Sequence, residues 1–284
     1  MNQYVSREVD DRLANYQNTQ DLQGAKSTKS IIDLALAAYY EDKQDVRAID
    51  STFKIFAMSQ IKLFLFSGHD TTSSSICYIF YVLSENTPVL RNVINEHDDL
   101  FGMDPKKASS MIVEKPSLLN KIPYSLAVIK ETLRLYPAVS SVRAGEPSFN
   151  VTDDHGRQFP TDNFMVWANS QNVQRDPAYW ARPDDFVPER WLAPPGHPLY
   201  PVKGAWRPFE YGPRNCIGQE LAVLEMKIIM VLVLRSFSIK PVYEELDPKH
   251  PGRRVRTVYG QRGYQVQRAQ PSDDLPCRVN TMSR

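Results

Sequence analysis

The sequence predicts a mainly α fold with a smaller β portion, on three observations. Long segments with helical apolar spacing fill the first half, short runs with turn residues begin near Val142, and one apolar helix returns after Cys216. At 284 residues and 42% hydrophobic content, the chain can bury a large core.

The elements follow in order. The opening, "MNQYVSREVDDRLANYQ", is polar and charged, and reads as neither signal peptide nor anchor. Residues 30–41 show helical spacing, and a longer helical pattern runs from Ser51 to Glu85. A polar break, Ser67 to Thr72, lies in its middle, between flanks ("IKLFLF" and "ICYIFYVL") that read as buried on most sides. Glycine there costs about 1 kcal/mol against alanine, and clustered Ser and Thr back-bond to carbonyls. Thr87 reads as an N-cap, with Pro88 at the first helical position of the next helix. The helix "PYSLAVIKETLRLY" stops at Pro137, and "FNVTDDHGRQF" turns as a hairpin at Asp154-His155-Gly156. Residues 183–208 are a Pro-rich loop region, "ELAVLEMKIIMVLVLRSF" is helical, and the tail from Lys240 is strand and loop.

Composition excludes several classes. Lys+Arg 34 against Asp+Glu 33 gives no basic footprint for nucleic acid. Cys77, Cys216 and Cys277 are an odd number at wide spacing, which argues against a disulfide framework or a zinc site and for a reducing compartment. No uncharged apolar run approaches the roughly 20 residues of a membrane span.

Three constellations carry chemistry. Asp70 and Thr71 in the polar break are either a solvent-facing stripe or a buried acid and hydroxyl able to pass protons to a bound group. Glu131 and Arg134 share a helix face, as a surface ion pair of little worth or as a buried bidentate clamp, and spacing leaves both open. Cys216, in "FEYGPRNCIGQE", precedes a helix, where unsatisfied N–H groups at the positive end of the dipole favour a thiolate. Gly212 and Gly218 permit unusual backbone angles and close approach of a large planar group. Arg214 is placed to neutralise an anionic substituent of such a group, and Phe209 to shield the sulfur.

The pattern F-x-x-G-x-R-x-C-x-G, filled by Phe209, Gly212, Arg214, Cys216 and Gly218, resembles the haem-binding loop of the cytochrome P-450 haem-thiolate monooxygenases. Ser67 to Thr72 resembles that family's oxygen-activating segment, with Ser where Ala or Gly is usual. Glu131 and Arg134 match its E-x-x-R pair, and Arg190 in "FVPERW" matches the arginine that completes the clamp. Arg143 falls where the family often places a haem-propionate ligand. "FLFSGHDTTSSS" and "LLNKIPYSLAVIKETLRLYP" look most like fungal members of secondary-metabolite pathways.

The resemblance implies the C-terminal part of the cytochrome P-450 fold: residues 1–284 as a single incomplete haem-thiolate catalytic domain, without the N-terminal part that carries the family's membrane anchor. It implies haem b (iron protoporphyrin IX) on Cys216, and Asp70 and Thr71 managing the protons of oxygen activation. Electrons are then expected from NADPH through a separate NADPH-cytochrome reductase, and the substrate is a lipophilic small molecule. The full-length family sits on the cytoplasmic face of the endoplasmic reticulum. Lys203, Arg207, Lys227 and Arg235 flank the cysteine loop, as a cationic dock for the reductase or, taken singly, as an ordinary solvated charged face. Two other readings stay open: a haem-thiolate isomerase or dehydratase, against which Asp70-Thr71 argues, and a catalytically silent remnant or interaction chain.

Overall fold

A computed structural model describes residues 2–18, 32–34, 38–39, 51–249, 257–258 and 271–282. The chain divides into two compact units, residues 1–69 and 70–284.

The first unit opens with helix α1 (Asn2–Asn18), which the polar sequence did not announce. Val5 and Val9, one turn apart, are buried among its described side chains. Lys54 pairs with Asp10 at 2.5 Å, and Arg12 with Glu8 and Asp33. Residues 32–34 and 38–39 are helical, while the rest of the helix expected over 30–41 lies outside the described residues. Helix α2 (Ser51–Glu85) runs without interruption through Gly68, and the unit boundary falls inside it, between His69 and Asp70. The flank read as buried is exposed instead: Leu63 to Phe66 all face solvent, Phe66 at 66%. Four successive helical residues point around most of the helix, so apolar character alone cannot put all of them against one partner. Ala57 is buried near the start of α2, and beyond the exposed run burial resumes at Thr72 and continues through Ser74, Tyr78, Ile79 and Leu83.

In the second unit, helix α3 (Thr87–Phe101) starts one residue earlier than the capping pattern indicated. Asn86 is the N-cap, and Thr87 and Pro88 are the first two helical positions. The Asn86 side chain caps nothing on α3; its Nδ2 donates back to the Val82 carbonyl of α2 at 2.7 Å. Helix α4 (Lys107–Glu114) and a 3-10 turn (Pro116–Lys121) were not anticipated. They bury Ala108, Ile112 and Leu119 around Phe101 and Val231. Helix α5 (Pro123–Leu135) has buried residues on every side. Its N-terminus is held by Glu96 of α3, whose carboxylate accepts the N–H groups of Tyr124 and Ser125 at 2.7 and 2.8 Å. A negative charge meeting free N–H groups there stabilises the helix.

The β portion is three separate two-stranded antiparallel ribbons among the described residues. Strand β1 (Ser141–Ala144) pairs with β4 (Met165–Ala168), placing Val142 opposite Trp167. Strands β2 (Asn150–Thr152) and β3 (Gln158–Pro160) form the expected hairpin. Its turn uses Gly156 at φ +75, and Asp153 Oδ1 accepts the N–H groups of His155 and Arg157. Strand β5 (Phe237–Pro241) pairs with β6 (Cys277–Thr281). Between β4 and β5 lie a short helix α6 (Ser170–Val173), a Pro-rich stretch containing a 3-10 turn (Pro188–Trp191), and helix α7 (Gln219–Val233). A helical turn, Tyr243–Leu246, interrupts the tail expected to be strand and loop.

The main core joins Ile79 and Leu83 of α2, Val93 of α3, Val128, Ile129 and Leu133 of α5, and Met226 and Met230 of α7. Each such side chain contributes roughly 1.5–3 kcal/mol by burial. A second cluster centres on Tyr136, stacked on Tyr78 at 4.7 Å with Tyr81 edge-on. Burial pushes the Tyr136 phenol well above the ordinary range, and burial likewise raises Tyr124 to about 12. Both groups stay neutral in the fold where the unfolded chain ionises, so their stabilisation is present below about pH 10. It is lost as pH rises from there toward the folded values. Tyr136→Phe is expected to flatten the alkaline fall in denaturation midpoint; a fall as steep as in the wild type would show that Tyr136 does not titrate with unfolding.

Candidate functional site

The site is assembled from α5, the Pro-rich stretch and the loop that leads into α7. Glu131 sits at its base, fully buried. Its Oε1 accepts from Arg134 (2.8 Å), from Arg190 (3.1 Å) and from the Val187 N–H (3.0 Å). Its Oε2 accepts from Arg134 Nε and from the Trp191 indole, both at 3.0 Å. Both arginines are fully buried too, and spare N–H groups go to backbone carbonyls. Arg134 donates to Gln174, Pro183 and Asp185, and Arg190 to Ala181 and Arg182. Two guanidiniums against one carboxylate would leave an uncompensated charge, and these five carbonyls take it up. Burial pulls the Arg190 pKa down, with Glu131 opposing and Arg134 adding to the shift. The i, i+3 spacing could not distinguish a surface pair from this arrangement, because the deciding partners lie about forty to sixty residues downstream.

Gln174 ties this network to the cysteine loop. Its amide donates to the Leu133 and Arg134 carbonyls, and its Oε1 accepts the Arg207 N–H at 2.6 Å. Trp206 donates from its indole to the Lys130 carbonyl at 3.1 Å. Neither residue was singled out in the sequence, where no periodicity or motif marks them.

The loop returns on itself so that the Cys216 N–H donates to the Phe209 carbonyl at 2.8 Å. Gly212 stands at φ +88, a conformation that a side chain would strain, so a glycine is needed at that turn. Gly218 is different: its φ is −88, an ordinary value. A Cβ there would lie 3.8 Å from the Cys216 sulfur, so Gly218 keeps space beside the thiol and supplies no unusual angle. Cys216 is a free, exposed cysteine three residues ahead of α7. The Phe209 ring does not cover it; that ring meets Trp206 edge-on at 6.0 Å and packs on the main core. Next to it Ile217 is exposed, as are Leu221 and Leu224 on α7.

The other expected site residues stand on separate elements. Arg214 is exposed on the cysteine loop, and Arg143 is exposed on β1, donating to the Val142 carbonyl. Asp70 and Thr71 are half-buried on α2, and their carbonyls accept from the Ser73 and Ser75 hydroxyls.

The cationic dock does not form as expected. Lys227 is buried and donates to the Leu119 carbonyl at 3.0 Å, and burial lowers its pKa. Arg235 is fully buried, pairing with Asp98 at 2.9 Å and with the Gly102 carbonyl at the end of α3. Both lie on α7 or just beyond it, where long side chains reach across to neighbouring helices. Of the four, Lys203 is exposed and Arg207 half-buried over the Tyr211 ring.

These residues fit a large planar cofactor with a metal. Among the described residues no three His, Cys, Asp or Glu side chains gather as a metal site. An exposed thiol with a glycine beside it suits a porphyrin.

The family model of cytochrome P450 matches residues 1–268. Cytochrome P450 monooxygenase polC of Polytolypa hystricis is 44% identical over 263 residues, 90% of this chain and 47% of that protein. Cytochrome P450 monooxygenase acrF of Aspergillus aculeatus is 33% identical over 308 residues, 99% of this chain and 60% of that protein. The chain thus spans about half the length of these two relatives. Cytochrome P450 monooxygenase PC-23 of Penicillium crustosum is 31% identical over 212 residues, 73% of this chain and all of that protein. With its cysteine loop, its E-x-x-R helix and a family match over nearly its whole length, the chain belongs to the cytochrome P450 family.

Proposed function

We propose that the chain is the haem-thiolate part of a monooxygenase acting on a lipophilic small molecule, a secondary-metabolite intermediate by analogy with its fungal relatives. The observation that carries this reading is the free, exposed Cys216, held by its N–H on the Phe209 carbonyl just ahead of α7. A thiolate-bound haem b supplies dioxygen activation and oxygen insertion, with electrons from NADPH through a reductase. The chain's own residues do the rest. Cys216 would anchor the group, Gly218 would leave room beside the sulfur, and the exposed guanidiniums of Arg214 and Arg143 would supply cations for its propionates. Lys203 remains as a cation for reductase docking. No described helix is long and apolar enough to cross a membrane. Residence on the cytoplasmic face of the endoplasmic reticulum belongs to the proposal for the whole protein.

Asp70 and Thr71 hold and pass the proton. The hydroxyls of Ser73 and Ser75 donate to the carbonyls of these two residues on the same stretch of helix. Thr71→Ala is expected to leave substrate affinity near normal while reducing equivalents are diverted to peroxide. The ratio of product to NADPH consumed measures this, and an unchanged ratio removes Thr71 from the role.

The test of the whole reading is one spectrum. The ferrous carbon monoxide adduct of the haem-loaded protein is expected to show the red-shifted Soret band of a thiolate ligand. A band typical of imidazole ligation, or no haem uptake, overturns the proposal.

A further inference from the structure

We propose that Lys130 is an imine-forming site for an aromatic aldehyde, with the indoles of Trp191 and Trp206 as its aromatic walls. Lys130 lies on α5, and its Nζ stands 5.5 Å from the Trp191 ring centre and 6.0 Å from that of Trp206. Each ring is fixed through its N–H. Trp206 donates to the carbonyl of Lys130 itself at 3.1 Å, and Trp191 donates to Glu131, the next residue, at 3.0 Å. The two indoles meet edge-on, centroids 5.5 Å apart and planes at 65°, so they form a corner rather than a flat stack. Lys130, Trp191 and Trp206 are all half-buried, so each keeps part of its surface in water.

No acid claims the amine. Among the described residues Lys130 Nζ makes no hydrogen bond and no ion pair, yet it is not sealed from water. The adjacent Glu131 carboxylate is already taken by Arg134 and Arg190, and those three groups together carry a net positive charge. Lys227 of α7 lies close enough for the two lysine charges to act on each other. The indole faces do attract an ammonium, but at separations near the outer limit of about 6 Å that pull is small. Burial wins, and it lowers the Lys130 pKa. A lysine desolvated against apolar walls offers more neutral amine at a given pH, which is what carbonyl addition needs. Lys227 is the contrast: burial lowers its pKa too, but it is shut in and donates to the Leu119 carbonyl.

The step is a condensation without change of oxidation state. The Nζ lone pair adds to the aldehyde carbon and forms the C–N bond. Both amine protons then leave with the carbonyl oxygen as water, and a C=N bond remains. An aromatic aldehyde can pack its ring against the indole corner as it reacts, whereas a short aliphatic one gains no ring contact.

The test treats the full chain with limiting 2-naphthaldehyde or butanal. Cyanoborohydride traps the imine as a secondary amine, and mass spectrometry maps it. Lys130 is expected to take 2-naphthaldehyde about fivefold or more faster than the exposed Lys106, Lys107 and Lys203, since each unit of pKa lowering gives about tenfold more neutral amine. Its labelling should reach half-maximum at a lower pH than theirs, which mere accessibility would not produce. With butanal the preference for Lys130 should shrink several-fold. Lys130→Arg should remove the fast phase of labelling, and Trp206→Leu should slow 2-naphthaldehyde more than butanal. Buried Lys227 reports on the fold and should stay unlabelled. If it is labelled in Trp206→Leu, that variant has opened, and the two aldehydes compared on the wild type decide alone. Labelling of Lys130 no faster than of Lys106 overturns the proposal, as does an equal preference for both aldehydes. The result is independent of haem binding, so it stands or falls whatever the Soret band shows.

Discussion

Glu131→Ala is expected to cost about 3–5 kcal/mol of folding stability, because it strands two buried guanidiniums. Arg134 and Arg190 are both 0% exposed and share that one carboxylate. The substitution also leaves the Val187 N–H and the Trp191 indole without their acceptor. Against a typical total of about 5–15 kcal/mol, such a loss leaves little folded protein. Glu131→Gln keeps the shape and some acceptors but not the charge, so it should fall between alanine and wild type. Urea denaturation midpoints measure both. A Glu131→Ala midpoint equal to wild type would mean that the buried network contributes no net stability and that the fold is held elsewhere.

Cys216→Ala has the opposite signature: full loss of the thiolate Soret band with the fold almost untouched. The Cys216 side chain is exposed and fills no core, so its removal opens no cavity. Cys77→Ala and Cys277→Ala act as controls that should keep the band. Both thiols pack at the edge of the Tyr136 cluster, and burial raises the pKa of each. Arg214→Ala and Arg143→Ala should accelerate haem dissociation without moving the band. A red-shifted band persisting in Cys216→Ala would end the ligand assignment.

Much of this was legible in the sequence, for particular reasons. The cysteine loop could be read because its requirements are local: a turn that only glycine tolerates at 212, space beside the sulfur at 218, and a helix beginning at 219. Helices α2, α3, α5 and α7 and the β2–β3 hairpin were legible because apolar period and turn chemistry are short-range signals. The polar helix α1 was missed, because its opening sequence is dominated by polar and charged residues, among which Val5 and Val9 are buried. The Thr87 cap was misplaced by one residue: the N-cap is Asn86, whose side chain bonds back to Val82 and leaves no side-chain cap signal to read.

What the sequence determined by itself was helices α2, α3, α5 and α7, the β2–β3 hairpin and the glycine turn of the Cys216 loop, since these follow from interactions within a few residues. What only the tertiary structure decided was where the charges go. Glu131 and Arg134 became a buried pair through Val187, Arg190 and Trp191, far along the chain. Lys227 and Arg235, equally basic in sequence, were drawn inside by Leu119, Asp98 and Gly102. Leu63 to Phe66, equally apolar, stayed outside. A charge is buried only where distant groups satisfy it, and an apolar side chain only where another element packs on it, so neither outcome is fixed by neighbours in sequence.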